Sequence, residues 1–453
     1  MVGSVIGVGG IARQLGLRRP AALLAMVFAA TIPMGIVQAS STMTDYVVTL
    51  FLVGTASEVL AWGDDRQIGR AILFAGTAAG LATLTKPTSA PYLMSLGLLG
   101  GWLLWRRKPG RAVVLACAAG LGVFLILNAG HWSRNVLLYG DPVSGGDQTS
   151  VHLNQTMDAR SLVSNVLRNL GLHMGTPSPY VNKGIALTVL GIHQMIGIDP
   201  NDPRTTAHGR FKIDEPTTNE NKSGNLVHLL VLAVSVIFLA RRSSTFDYRM
   251  LPFVAVVLAG FLLFVFIFKW QIFGSRYHLQ AFVLLAPASG GAMAYGLSSR
   301  GGLVAGWALA FSSLPWLIGI GSRPLVPLPG EATVESIFTE SRGHLLLANG
   351  PYLEKPYSDM SQQILEASCS RVGISLSGNG AEYPLWVMLG KPTSTMDIEW
   401  QVAGTPSEVF RLESYIPCAV ICEGCEGRDT FSNLPLARDA YGFRLYMRSE
   451  EGG

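Results

Sequence analysis

Three ionisable residues stand where a chain otherwise stripped of charge turns back on itself. Lys86 lies in Thr83-Leu84-Thr85-Lys86-Pro87-Thr88 and Arg276 in Gly274-Ser275-Arg276-Tyr277-His278, each a very short connection between apolar runs. Asp45 follows the polar stretch Gln38–Thr44 and opens the next apolar run. A lysine offers a point charge to a phosphate oxygen, and an arginine offers two parallel N–H donors. Lys86 and Arg276 therefore read as ligands for an anionic head group, and Asp45 as a candidate carboxylate in a water-facing cavity. Each has a plainer reading. Lys86 could snorkel, Arg276 and Tyr277 could anchor the chain at an interface, and Asp45 could complement a helix start with Ser and Thr neighbours as caps.

Five further residues, His131, Arg134, Glu220, Tyr277 and His278, belong to the same candidate cavity. His131 and Arg134, in His131-Trp132-Ser133-Arg134-Asn135, begin a long polar connection, and Glu220 stands just before a later apolar run. His278 follows Tyr277 directly. The histidines His152, His173, His193 and His208 lack the close pairing that a metal site uses, so no metal is read from them. No cofactor is required; a divalent ion stays open. Cys418, Cys422 and Cys425, with Cys369, could form half a zinc site. Outside the cytoplasm they would instead be oxidised, giving one or two disulfides of unspecified pairing.

The elements that must hold these residues follow from the distribution of charge. Hydrophobic residues make up 49% of the 453 and charged residues only 14%, with mean hydropathy +0.35, against about 25% charged in an ordinary soluble chain. A net charge of +4 gives no reason to invoke nucleic acid. Apolar segments at 20–37, 45–62, 69–85, 88–105, 111–130, 225–240, 250–268, 278–297 and 302–320 approach the length that crosses a ~30 Å hydrocarbon core. The expected fold is a mainly α-helical polytopic membrane protein of about nine transmembrane helices, preceded by a partial helix over 1–12. Residues 1–130 form the first part of the bundle, with five of the helices. Residues 131–224 form an outer loop, 225–320 the second part with four helices, and 321–453 a small soluble α/β domain. Within the loop, 158–173 and 184–198 read as amphipathic helices lying on the membrane or packed on the bundle, and 199–224 as plain loop. In the tail, short apolar runs at His344–Ala348, Val372–Leu376, Asp397–Val402, Ala419–Ile421 and Phe443–Met447 read as strands around a helix at 357–370, forming a partly parallel sheet. Gly378-Asn379-Gly380 reads as a tight turn.

Orientation comes from Lys and Arg. Alternate connections carry thirteen basic residues on one side, from Arg13 through Arg66 to Arg300, and three in the short loops of the other, Lys86, Lys269 and Arg276. The richer side is expected to face the cytoplasm. The long loop and the tail then lie outside the cytoplasm.

The order of motifs resembles bacterial GT-C-type glycosyltransferases, the superfamily of protein O-mannosyltransferases and lipid A aminoarabinose transferases. It is carried by Pro33-x4-Gln38-Ala39-Ser40-Ser41-x3-Asp45, by Gly80-Leu81-Ala82-x3-Lys86-Pro87-Thr88, by Gly130-His131-Trp132-x-Arg134-Asn135, by Gly140-Asp141-Pro142 and by Gly274-Ser275-Arg276. The resemblance implies transfer of a sugar from a polyprenyl-phosphate donor to a glycan, lipid or protein acceptor on the extracytoplasmic face of a bacterial inner membrane. Lys86 matches the family's basic residue. The catalytic Asp of such proteins belongs to a first outer loop, and no acidic residue precedes Asp45. The base is therefore expected upstream of Met1, the sequence being a truncated gene model, and the chain as written could be inactive. Two other classes compete: a transporter or flippase of lipid-linked sugars, for which neither an inverted repeat nor a broken helix is seen, and a non-catalytic envelope protein.

Overall fold

The computed structural model describes residues 1–62, 68–108, 110–143, 151–330, 332–377, 380–391, 393, 395–401, 405–410 and 414–448. Arg66, Gly378, Asn379 and Val402 lie outside them. The chain divides into two compact units, Met1–Ile320 and Gly321–Gly453.

The first unit is helical: α1 Val2–Gln14, α2 Arg19–Ala30, α3 Pro33–Ala39, α4 Asp45–Ala61, α5 Ile68–Thr85, α6 Ala90–Arg107 and α7 Arg111–Tyr139. After them come α8 Ala159–Gly171, α9 Pro179–Ile196, α10 Leu226–Arg241, α11 Met250–Ile267, α12 Leu279–Gly296, α13 Ser299–Ser312 and α14 Leu314–Ile318. A helix covers each of the nine apolar segments. Three, α5, α7 and α11, are long and apolar enough to cross a membrane by themselves, and a fourth span forms if α2 and α3 count as one bent helix. Nine crossings is thus more than length and apolarity establish among the described residues. The shortfall has local causes. Helix α4 has 17 residues and α10 has 16, while α12 is built of Ala, Gly and Ser around Pro287.

That composition suits α12's place. Its residues Leu279–Met293 are all buried, so it forms the centre of the bundle, and small side chains let neighbouring helices close in. A Cβ at Gly290 would collide with the backbone of Ala21 and Ala25 in α2, and one at Gly76 of α5 with the carbonyl of Gly120 in α7. Helix α7 has the opposite character. It is strongly apolar, yet only Gly120, Asn128 and Asn135 are buried along its 29 residues. Leu115 is 69% exposed and Ile126 75%. Apolar surface on this scale is tolerated in lipid and not in water, so the chain is a membrane protein.

Three expectations are corrected here. Helix α7 runs on to Tyr139, so His131 and Arg134 sit on a helix and do not open a loop. A broken helix does exist: α2 and α3 meet at 66°. Pro33 cannot donate a backbone hydrogen bond, and the groups freed at the break find side chains of α10. Asn225 Oδ1 accepts from Met34 N at 2.9 Å, and Thr31 Oγ1 lies 3.0 Å from His228 Nε2. Helix α8 is amphipathic as expected, with a polar stripe turned inward. In α8 the inward residues are Ser161, Ser164, Asn165, Arg168 and Asn169, while Val163 is 44% exposed. Finally, segment 199–224 carries a short strand, β1 Thr206–His208, parallel to β2 Trp270–Gln271.

The second unit is a six-stranded sheet with helices. Its strands are β3 Arg371–Ser375, β4 Asp397–Trp400, β5 Ala419–Glu423, β6 Thr430–Phe431, β7 Leu434–Ala440 and β8 Phe443–Met447, in the order β4-β3-β5-β8-β7-β6. The first three are mutually parallel and the rest antiparallel. Val372, Ile374, Ile421 and Leu445 are fully buried with Tyr357, Met360 and Ile364 of helix Glu354–Glu366. The run His344–Ala348 is not a strand. Arg342–Leu346 is helical, with Ser341 Oγ accepting from His344 N, and its leucines lack the β-branching that favours extended backbone. Cys369 pairs with Cys418 and Cys422 with Cys425.

Candidate functional site

The short connection after α11 organises the site. A helix end leaves four carbonyls without partners, and at α11 two asparagines supply them. Asn154 Nδ2 donates to Phe266 O at 2.8 Å and to Val265 O and Phe268 O at 3.1 Å, and Asn165 Nδ2 donates to Val265 O at 2.9 Å. The backbone of 152–154 then pairs with 267–269: Asn154 N donates to Ile267 O, and Lys269 N to His152 O, each at 2.8 Å. Because side chains alternate along extended backbone, Lys269 and Gln271 reach one side together.

They reach a cavity of about 440 Å³. Its polar lining comprises Lys86, Thr88, Asp141, His152, Lys269, Gln271 and Tyr277, and its apolar wall includes Phe264, Phe268, Leu153 and Val143. Lys86 arrives from the end of α5, where Pro87 stops the helix and starts a 3-10 turn. Asp141 arrives from the end of α7. Gly140 there adopts φ +71°, a left-handed conformation that glycine takes without strain, and Asn135 Nδ2 holds Pro142 O at 3.1 Å.

Lys86 is doubly engaged. Its Nζ lies 2.6 Å from Asp45 Oδ1, and 4.5 Å from the centre of the Tyr277 ring. Asp45 is completely buried, and its Oδ2 meets no donor among the described residues. Thr44 precedes α4 but makes no side-chain cap, so Asp45 serves as the lysine's counter-ion in place of a capped helix start. Arg276 holds the same ring from its own side. Its Cζ is 4.9 Å from the ring centre, Nη2 donates to Tyr277 Oη at 2.9 Å, and Nη1 donates to Asn221 Oδ1 at 3.1 Å. Arg276 thus braces Tyr277 but does not line the cavity.

The other expected residues lie elsewhere. His278 is buried in a phenylalanine cluster, with Nδ1 2.8 Å from His173 Nε2. His131 contacts Asn135 on α7, and Arg134 is exposed. The backbone carbonyl of Glu220 accepts from Gln38 Nε2 at 2.7 Å. Lys269 and His152 were not candidates from sequence. Lys269 counted only toward orientation and His152 only as a metal ligand, although a lysine directly after an apolar run as strong as 250–267 was a usable signal. Burial pushes the His152 imidazole down, with the nearby His208 and Lys269 adding to the effect. His152 is therefore uncharged near pH 7. Burial also lowers Lys269 from the usual lysine range. Among the described residues no three His, Cys, Asp or Glu side chains converge to hold a metal.

The family model described as dolichyl-phosphate-mannose-protein mannosyltransferase matches residues 1–133. That stretch includes Asp45 and Lys86 and stops short of Asp141, His152 and Lys269. No curated protein and no solved structure matches the chain. The match, over less than a third of the chain, suggests membrane glycosyltransferase activity.

Proposed function

We propose that the chain transfers a sugar from a polyprenyl-phosphate donor to an acceptor on the extracytoplasmic face of the membrane. One observation carries this reading: two lysines, Lys86 and Lys269, share a cavity that is also lined by phenylalanine and aliphatic side chains. Ammonium groups beside an apolar surface are complementary to a phosphate joined to a lipid chain. In the transfer, the bond from the sugar's anomeric carbon to the phosphate oxygen breaks as the acceptor oxygen attacks that carbon. Polyprenyl phosphate leaves with the electron pair, and the lysines stabilise its growing negative charge. The acceptor's proton goes to a base. Asp141 and the uncharged His152 are the cavity groups able to receive it. Lys269→Met should lower transfer from a polyprenyl-phosphate sugar by about a hundredfold or more, with the protein still folded. Transfer within a few-fold of wild type would refute the phosphate role.

A transporter of lipid-linked sugars is the second reading, favoured by the break between α2 and α3. Reconstituted vesicles separate the two. A transporter moves the lipid-linked sugar across the bilayer without consuming it, whereas the enzyme releases polyprenyl phosphate.

A further inference from the structure

At the end of the bundle away from the Lys86 cavity, α2 and α13 leave an open groove of about 640 Å³. The chain path fixes its place, since α12 leaves the cavity at Tyr277 and reaches the groove at Ala294 and Tyr295. Gly302 and Gly306 form its floor, where a side chain would begin to press on Leu24. Leu23, Leu303 and Trp307 flank it and are 60%, 63% and 58% exposed. Ser298 and Arg18 close one end, and Ala310 lies at the other. Twelve residues of helix rise about 18 Å, close to the depth of one leaflet of a ~30 Å hydrocarbon core.

The closed end is cationic and uncompensated. No acidic side chain among the described residues pairs with Arg18, Arg19 or Arg300, and all three are exposed. A groove of one leaflet's depth, apolar along its length and basic at its rim, matches a lipid with an anionic head. We infer that α2 and α13 hold one glycerophospholipid, its phosphate against Arg18 and Ser298 and an acyl chain along Gly302 and Gly306. The lipid would fill the space that the two helices leave open and would brace α2 below its break at Thr31. A second copy of the chain would leave Arg18 facing arginine across the interface, so charge favours the lipid.

The test is native mass spectrometry of the full chain in mild detergent, titrated with phosphatidylglycerol or phosphatidylcholine of matched chain length. Wild type should retain one phosphatidylglycerol in preference to phosphatidylcholine. Arg18→Ala, at an exposed position, should cut that preference by about fivefold. Gly306→Leu should reduce retention of both lipids by filling the floor. Equal retention of the two lipids by wild type, or a preference unchanged in Arg18→Ala, would overturn the inference. A lipid-free dimer that Gly306→Leu dissociates would overturn it in favour of a second copy.

Discussion

Replacing Lys86 by methionine perturbs stability and function together, and the Asp45 pair makes the two separable. At 2.6 Å the attraction is about 6 kcal/mol for an effective dielectric near 20, and desolvation of the ions offsets much of it. Because Asp45 is fully buried, Lys86→Met strands a carboxylate, at a cost of about 3–5 kcal/mol. The double variant Asp45→Asn/Lys86→Met strands no charge and should recover most of that loss. Unfolding in sodium dodecyl sulfate, followed by tryptophan fluorescence, gives all four corners of the cycle. Sugar transfer measured on the same proteins should stay abolished in both variants lacking the lysine. Equal stability of Lys86→Met and the double variant would show that removing the lysine strands no buried charge. Transfer by the double variant at the wild-type rate would show that Lys86 is a counter-ion and nothing more.

Three other outcomes follow from the structure. Burial pushes His173 down to about 3, below the ordinary value near 6.5. Its contribution to stability is complete above pH 6.5 and falls as acid drives the pH down toward the folded value; His173→Phe should flatten that part of a pH-melting curve. Gly76→Leu, placed against the Gly120 carbonyl, should destabilise the α5–α7 pair by about 1–3 kcal/mol or prevent insertion, whereas Gly97→Leu, where nothing lies within 4 Å, should be silent in the same detergent melt. Removing the Cys369–Cys418 bridge, which spans 49 residues, should cost the soluble unit about 4 kcal/mol, read by hydrogen exchange of β3 and β5 in the full chain.

The helices were legible because excluding charge from a bilayer is a strong one-dimensional signal, and every long apolar run became a helix. Their details were less so. The break at Thr31–Pro33 is marked by a proline that membrane helices often tolerate, and only the partners on α10, Asn225 and His228, turn it into a corner. Helix α8 was legible as amphipathic, but not which face it buries, because Arg168 and Asn165 find partners about thirty or more residues away, at Pro200, Thr205, Thr206 and Val265. Strand β7 carries charge and proline and β6 has only two residues, so neither showed an apolar run. For the site, spacing placed Lys86 and Tyr277 near a turn, and the structure places both on the cavity. Lys269, His152 and Asp141 reach it through backbone pairing of 152–154 with 267–269 and through the bend at Gly140, neither of which a linear pattern encodes. Arg276 has a cation's chemistry, but its two terminal nitrogens are turned to Tyr277 and Asn221.

A photoreactive polyprenyl phosphate crosslinked to the intact protein in vesicles would examine the donor cavity without depending on catalysis. Adducts on Phe264, Phe268, Leu153 or Val143 that disappear in a Lys86→Met/Lys269→Met/Asp45→Asn protein are expected. Adducts confined to other surfaces, or unaffected by loss of both lysines, would contradict a lipid phosphate held there.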